Sequence, residues 1–104
     1  MIWLLLALAC SPEPELAHMR RAAADWEAGV AALEAGEASR ARQHFQDARQ
    51  ERPGDAVLVT WEARAAAEAG QLDDAVALLD EVLAQWPGFA EARYNRAAYL
   101  ARLG

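Results

Sequence analysis

The stretch Gly36–Pro87, GEASRARQHFQDARQERPGDAVLVTWEARAAAEAGQLDDAVALLDEVLAQWP, carries the same punctuation twice. Gly36 is followed by Ala41, Phe45, Ala48 and Pro53-Gly54; Gly70 is followed by Ala75, Leu79, Val82 and Pro87-Gly88. Each matched position stands 34 residues from its counterpart, and one further period from Gly70 reaches Gly104. A repeat of this length is one helical hairpin, which buries its apolar face only by stacking on a neighbour.

Working outward, Leu16 to Ala35 reads as a helix interrupted only by Gly29, and Gly36-Glu37-Ala38-Ser39 as a turn with Ser39 as the N-cap of the next helix. That second helix, Arg40–Arg52, places Ala41, Phe45 and Ala48 on one face. Pro53-Gly54 ends it, and Asp55 caps the third helix, Ala56–Ala69. Asp73 is expected to cap the fourth, whose apolar stripe is Ala75, Leu79, Val82 and Trp86, widened by Val76 and Leu83. Pro87-Gly88 stops it, and Phe89–Leu103 is the fifth. Turns this short force antiparallel neighbours, so the expected fold is all-α, with hairpins stacked in a right-handed superhelix.

The pattern resembles tetratricopeptide repeats, W-x2-L-G-x2-Y, then A-x3-F, then P. Ala28-Gly29, Ala41-x3-Phe45 and Pro53 match in the first copy; Ala75-x3-Leu79 and Pro87 match in the second, where Ala63 replaces the glycine. Trp26 and Trp61 are out of step with the family's tryptophan, and Ala32 and Ala66 replace its tyrosine. The resemblance implies repeats at 22–55 and 56–89 and a half repeat at 90–104, within a domain spanning 17–104. Two and a half repeats fall short of the three that usually make a solenoid robust. Marginal stability is therefore expected, or support from a partner or from self-association through Leu100 and Leu103. Arg93 and Arg96 on the same flank suit a capping helix; truncation of a longer array is the alternative.

The first sixteen residues read differently. Ile2 to Ala9 is an unbroken apolar run ending at Cys10, the one cysteine, and is too short to span a bilayer, which takes about 20 residues. Ala7-Leu8-Ala9 has the form of a leader cleavage site. A cysteine directly after it resembles the lipobox of bacterial lipoproteins, although no basic residue precedes the run and Ala7 stands where that family favours leucine. The resemblance implies a signal peptide at 1–9, lipid attachment at Cys10, and membrane anchoring in the bacterial envelope, at the outer membrane facing the periplasm. An ordinary secretory leader and an apolar helix end are the alternatives. Residues 10–16 then form a Pro/Glu tether, although Pro14 and its flanking acids also suit the first turn of a helix.

Composition narrows the function. The net charge is −6, with ten arginines, no lysine and sixteen acids, which excludes the basic face of a nucleic-acid binder. His18 and His44 have no second histidine or cysteine at ligand spacing, and Asp73-Asp74 suits a helix start, so neither a metal nor another cofactor is expected. No phosphate loop or nucleophile motif is present, which argues against an enzyme. What remains is protein binding. The tetratricopeptide resemblance implies a groove lined by the first helix of each pair: Trp26, Val30 and Leu33; then Val57, Thr60, Arg64 and Glu68; then Glu91, Tyr94 and Arg102. Family members that clamp a C-terminal carboxylate use lysines and asparagines; here there is no lysine and only Asn95, so an amphipathic or mixed peptide or protein segment is the expected ligand. A soluble adaptor, or the N-terminal part of a larger enzyme or secretion component, are the rival readings.

Overall fold

A computed structural model describes residues 13–104 as five helices: α1 (Glu13–Glu34), α2 (Ala38–Glu51), α3 (Ala56–Glu68), α4 (Leu72–Gln85) and α5 (Ala90–Leu103). Each packs on its neighbour in sequence, and α3 also meets α5, as expected of stacked hairpins. The leader, Cys10 and the residues up to Pro12 lie outside the described residues. Glu13, Pro14 and Glu15 form the first turn of α1 and are not part of an extended tether. Proline fits there because its missing N–H would have no intrahelical partner.

The repeat period is written into the backbone. Gly36 and Gly70 adopt the left-handed conformation, with φ of 77° and 83°. Each closes its helix with the same bond pair. Gly36 N–H donates to the Leu33 carbonyl and Glu37 N–H to that of Ala32, while Gly70 donates to Ala67 and Gln71 to Ala66. This pair of hydrogen bonds satisfies the last carbonyls of the helix, and a side chain at such a φ costs about 1–2 kcal/mol.

The cores are built largely from alanine, whose small side chain lets the helices approach closely. One cluster joins Ala32, Ala41, Phe45 and Ala65; a second gathers Val59, Ala63, Ala66, Ala67, Ala75, Leu78, Leu79, Val82, Ala92 and Tyr99. The expected stripes Ala41/Phe45/Ala48 and Ala75/Leu79/Val82 are buried.

Three local expectations are overturned. Trp86 is 54% exposed, because α4 ends at Gln85 and Trp86 leaves the helical phase as the C-cap. Ser39 and Asp73 cap nothing: α2 and α4 begin two residues earlier than expected, behind Glu37 and Gln71, neither of which makes a side-chain cap. The Schellman bonds carry the chain straight from one helix into the next, so both residues already lie in the first turn. Asp55 does cap α3, accepting from the N–H groups of Val57 and Leu58 at 3.0 and 3.2 Å.

Candidate functional site

The face carried by α1, α3 and α5 holds the residues expected to line a groove. Its centre is aromatic. Phe45, fully buried from α2, lies tilted against Trp61 of α3 with centroids 5.7 Å apart. Trp61 in turn meets Trp26 of α1 edge-on at 6.1 Å and 85°. Such edge-to-face pairs are favoured by the ring quadrupoles and contribute about 0.5–1.5 kcal/mol beyond the area they bury. The Arg64 guanidinium lies 5.2 Å from the Trp61 ring centroid and its Nε is 3.4 Å from Glu68. Arg64 is thus held over an aromatic surface while about half of its side chain stays in water.

Two recesses flank this aromatic centre. One, of about 130 Å³, is lined by Val30, Leu33, Glu34, Trp61, Arg64 and Glu68. The other, of about 310 Å³, is lined by Met19, Ala22, Ala23, Trp26, Arg52, Asp55, Val57 and Leu58. Trp26, Val30 and Leu33 pack against the first core cluster and are only half exposed, so they form a floor and not free anchors. Val57, Arg64 and Glu68 are exposed on α3, as are Glu91, Tyr94 and Arg102 on α5, with Tyr94 77% exposed. Thr60 does not reach the surface. It is 2% exposed, and its hydroxyl donates to the Ala56 carbonyl at 2.7 Å. Trp61, which the expected groove set does not include, is the residue that meets both Trp26 and Phe45.

The junction of α2, α3 and α4 holds a feature with no linear signature. Glu62, 1% exposed, sits between Arg49 (3.3 Å) and Arg42 (3.9 Å). Arg42 continues to Asp74 at 2.9 Å, and Arg49 to Glu81 at 3.6 Å. Burial pushes the Glu62 carboxyl above the usual carboxylate range, while Arg49 and Arg42 pull it back. The chain of charges ties both hairpins together through side chains 20 and 13 residues from Glu62 on one side, and 12 and 19 on the other. Beside it a recess of about 470 Å³ opens, lined in part by Arg49, Pro53, Val59, Glu81, Val82 and Trp86.

At the opposite edge of α1 and α2, the Glu51 carboxylate accepts from His18 and from Arg21, the latter at 3.1 Å. Those two partners, His18 foremost, hold the Glu51 carboxyl below its ordinary value. Asp25, His44 and Asp47 also converge between α1 and α2, although His44 has no histidine or cysteine at ligand spacing along the chain.

None of the curated proteins matches the sequence. A family model for the tetratricopeptide repeat matches residues 32–99, which is about two thirds of the chain. With stacked hairpins and a doubled 34-residue punctuation, the chain belongs to the tetratricopeptide repeat family.

Proposed function

We propose that this protein is a membrane-anchored adaptor that holds a peptide or protein segment along the face of α1, α3 and α5. Tetratricopeptide repeats mediate protein–protein interaction, and the observation that carries the reading here is the Trp26–Trp61–Arg64 platform between two recesses. Aromatic surface with an arginine laid over it offers apolar contact and hydrogen-bond donors to one ligand, the pairing that dominates interface hot spots. Tyr94, Glu91 and Arg102 extend the same face onto α5. A bound segment with apolar side chains over the recesses and acids opposite Arg64 and Arg102 suits this surface.

The anchor is a lipid on Cys10, placed after the leader 1–9, with the domain facing the periplasm from the outer membrane. What supports it is the apolar run Ile2–Ala9 ending in Ala7-Leu8-Ala9-Cys10. Among the described residues no helix is long and apolar enough to cross a membrane. Intact mass of the membrane-fraction protein, beside Cys10→Ala, tests the anchor. A chain beginning at Cys10 and heavier by a lipid is expected; an unmodified chain starting at Met1 would sink it.

Photo-crosslinkers at Val57 and Tyr94, with a control at Gln50 on α2, test the groove. Both groove positions should capture the same protein, and Arg64→Glu should abolish capture. Capture from Gln50 alone would place binding on the other face.

A further inference from the structure

The repeat register shows which side of the first hairpin would meet a preceding one. In the second hairpin that side holds Glu62, Asp74 and Glu81, which meet Arg42 and Arg49 of α2, together with the buried Val59 and Leu78. Shifting by one 34-residue period carries Val59 to Asp25, Leu78 to His44 and Glu81 to Asp47. Two apolar contact positions have thus become an acid and a histidine, on a side that no other described helix packs against. Polar residues at the outer face of a terminal repeat keep it soluble, and that requirement is met by any polar side chain. Here they converge as well: one donor atom from each of Asp25, His44 and Asp47 lies within 4.8 Å of the others.

The charges around this trio are unbalanced. Arg21, Arg40, Arg42, Arg49, Arg52, Arg64 and Arg96 each pair with a carboxylate, yet among the described residues no cation lies within ion-pair distance of Asp25 or Asp47. The one hydrogen bond the trio makes among the described residues is from Gln43 Nε2 to Asp47 Oδ1, at 3.1 Å. That leaves the Asp25 carboxylate, the second Asp47 oxygen and the imidazole free to face a common point. Their backbones are fixed: His44 and Asp47 flank the buried Phe45 and Ala48 on α2, and Asp25 lies between the buried Ala22 and Ala32 on α1.

We propose that Asp25, His44 and Asp47 form a divalent transition-metal site that takes Zn²⁺. One imidazole nitrogen and two carboxylate oxygens make a three-ligand set for zinc, with water completing the tetrahedron. Calcium and magnesium, which want six or more oxygens, fit it poorly. Ligands at about 2.0–2.1 Å around a tetrahedral ion lie roughly 3.4 Å apart. The donors therefore close by up to about 1.4 Å, within reach of χ rotation in half-exposed side chains. The bound ion clips α1 to α2 on the outer side of the first hairpin. Its role is separate from the peptide face.

The test is zinc titration of the full chain carrying Cys10→Ser, since that thiol and the His18–Glu51 pair are competing zinc donors. One equivalent should bind, and the melting temperature should rise by about 14 °C at a hundredfold excess over Kd. Cobalt as a substitute should give the intense visible absorption of a four-coordinate site. Asp25→Asn, His44→Gln and Asp47→Asn should each weaken binding more than about tenfold, with helicity and metal-free melting temperature unchanged; His18→Gln should bind as before. No uptake at millimolar zinc would overturn the site. So would one-to-one binding that survives His44→Gln, or that is lost with His18→Gln.

Discussion

Replacing Gly29 by alanine should destabilise this protein and yet stabilise its Phe45→Leu variant. A Cβ at Gly29 would stand 2.5, 2.7 and 2.8 Å from three carbons of the Phe45 ring. That ring is fully buried and held against Trp61, which leaves it little room to withdraw. Overpacking of this kind costs about 1–3 kcal/mol, and the better helix propensity of alanine returns about 1 kcal/mol. The net loss is about 1 kcal/mol, or roughly 5 °C in melting temperature for a domain of this size. The second hairpin shows the remedy. One period on, the same two positions are Ala63 and Leu79, a larger residue facing a smaller one, and both are fully buried. Phe45→Leu alone removes ring contacts and should cost about 2 kcal/mol. Adding Gly29→Ala to it fills the gap and recovers about 1 kcal/mol, giving a coupling of about 2 kcal/mol between the sites. Thermal and urea unfolding of the four proteins, followed by circular dichroism, reads this directly. If Gly29→Ala shifts stability in the same direction in both backgrounds, the steric reasoning is wrong.

Glu62→Ala should cost about 2 kcal/mol, because it removes the buried carboxylate between Arg42 and Arg49 and leaves them only Asp74 and Glu81 as partners. The folded-state rise in the Glu62 pKa means that the folded chain holds this proton more tightly than the unfolded chain. Stability should therefore fall as pH rises from the usual glutamate range through the folded value, and Glu62→Gln should remove that fall in a series of urea titrations across pH. Glu51 has the opposite sign: its depressed pKa contributes stability above the ordinary glutamate value that is lost as pH falls through the folded value. Glu51→Gln should flatten that acid limb. Asp55→Ala should lower stability by about 1 kcal/mol through the lost cap of α3, whereas Ser39→Ala, which removes no cap, should be close to neutral in the same melts.

The period of the array, the helix order and the buried stripes were legible in the sequence because they depend on local chemistry. Glycine supplies the left-handed turn at Gly36 and Gly70, and alanine, phenylalanine and leucine at helical spacing have only one face to offer a core. Ser39 and Asp73 do not cap because the Schellman bonds move the start of the next helix two residues earlier, and no side-chain preference encodes that shift. Trp86 departs from the expected stripe for a related reason: its phase holds only while the helix continues, and α4 ends at Gln85.

The site was legible only in outline. Placing Val57, Arg64 and Tyr94 on one exposed face needed nothing beyond the helical period. That Thr60 turns inward, that Trp61 bridges Trp26 and Phe45, and that Glu62 is buried between two arginines depend on how the hairpins seat against one another. Asp25 lies 19 and 22 residues from His44 and Asp47, and no local pattern relates them. The sequence alone determined the helices and the repeat that stacks them, because those follow from neighbours within a few residues. Only the tertiary structure decided which polar side chains meet, because that is set by the distance between helices rather than by the spacing along one.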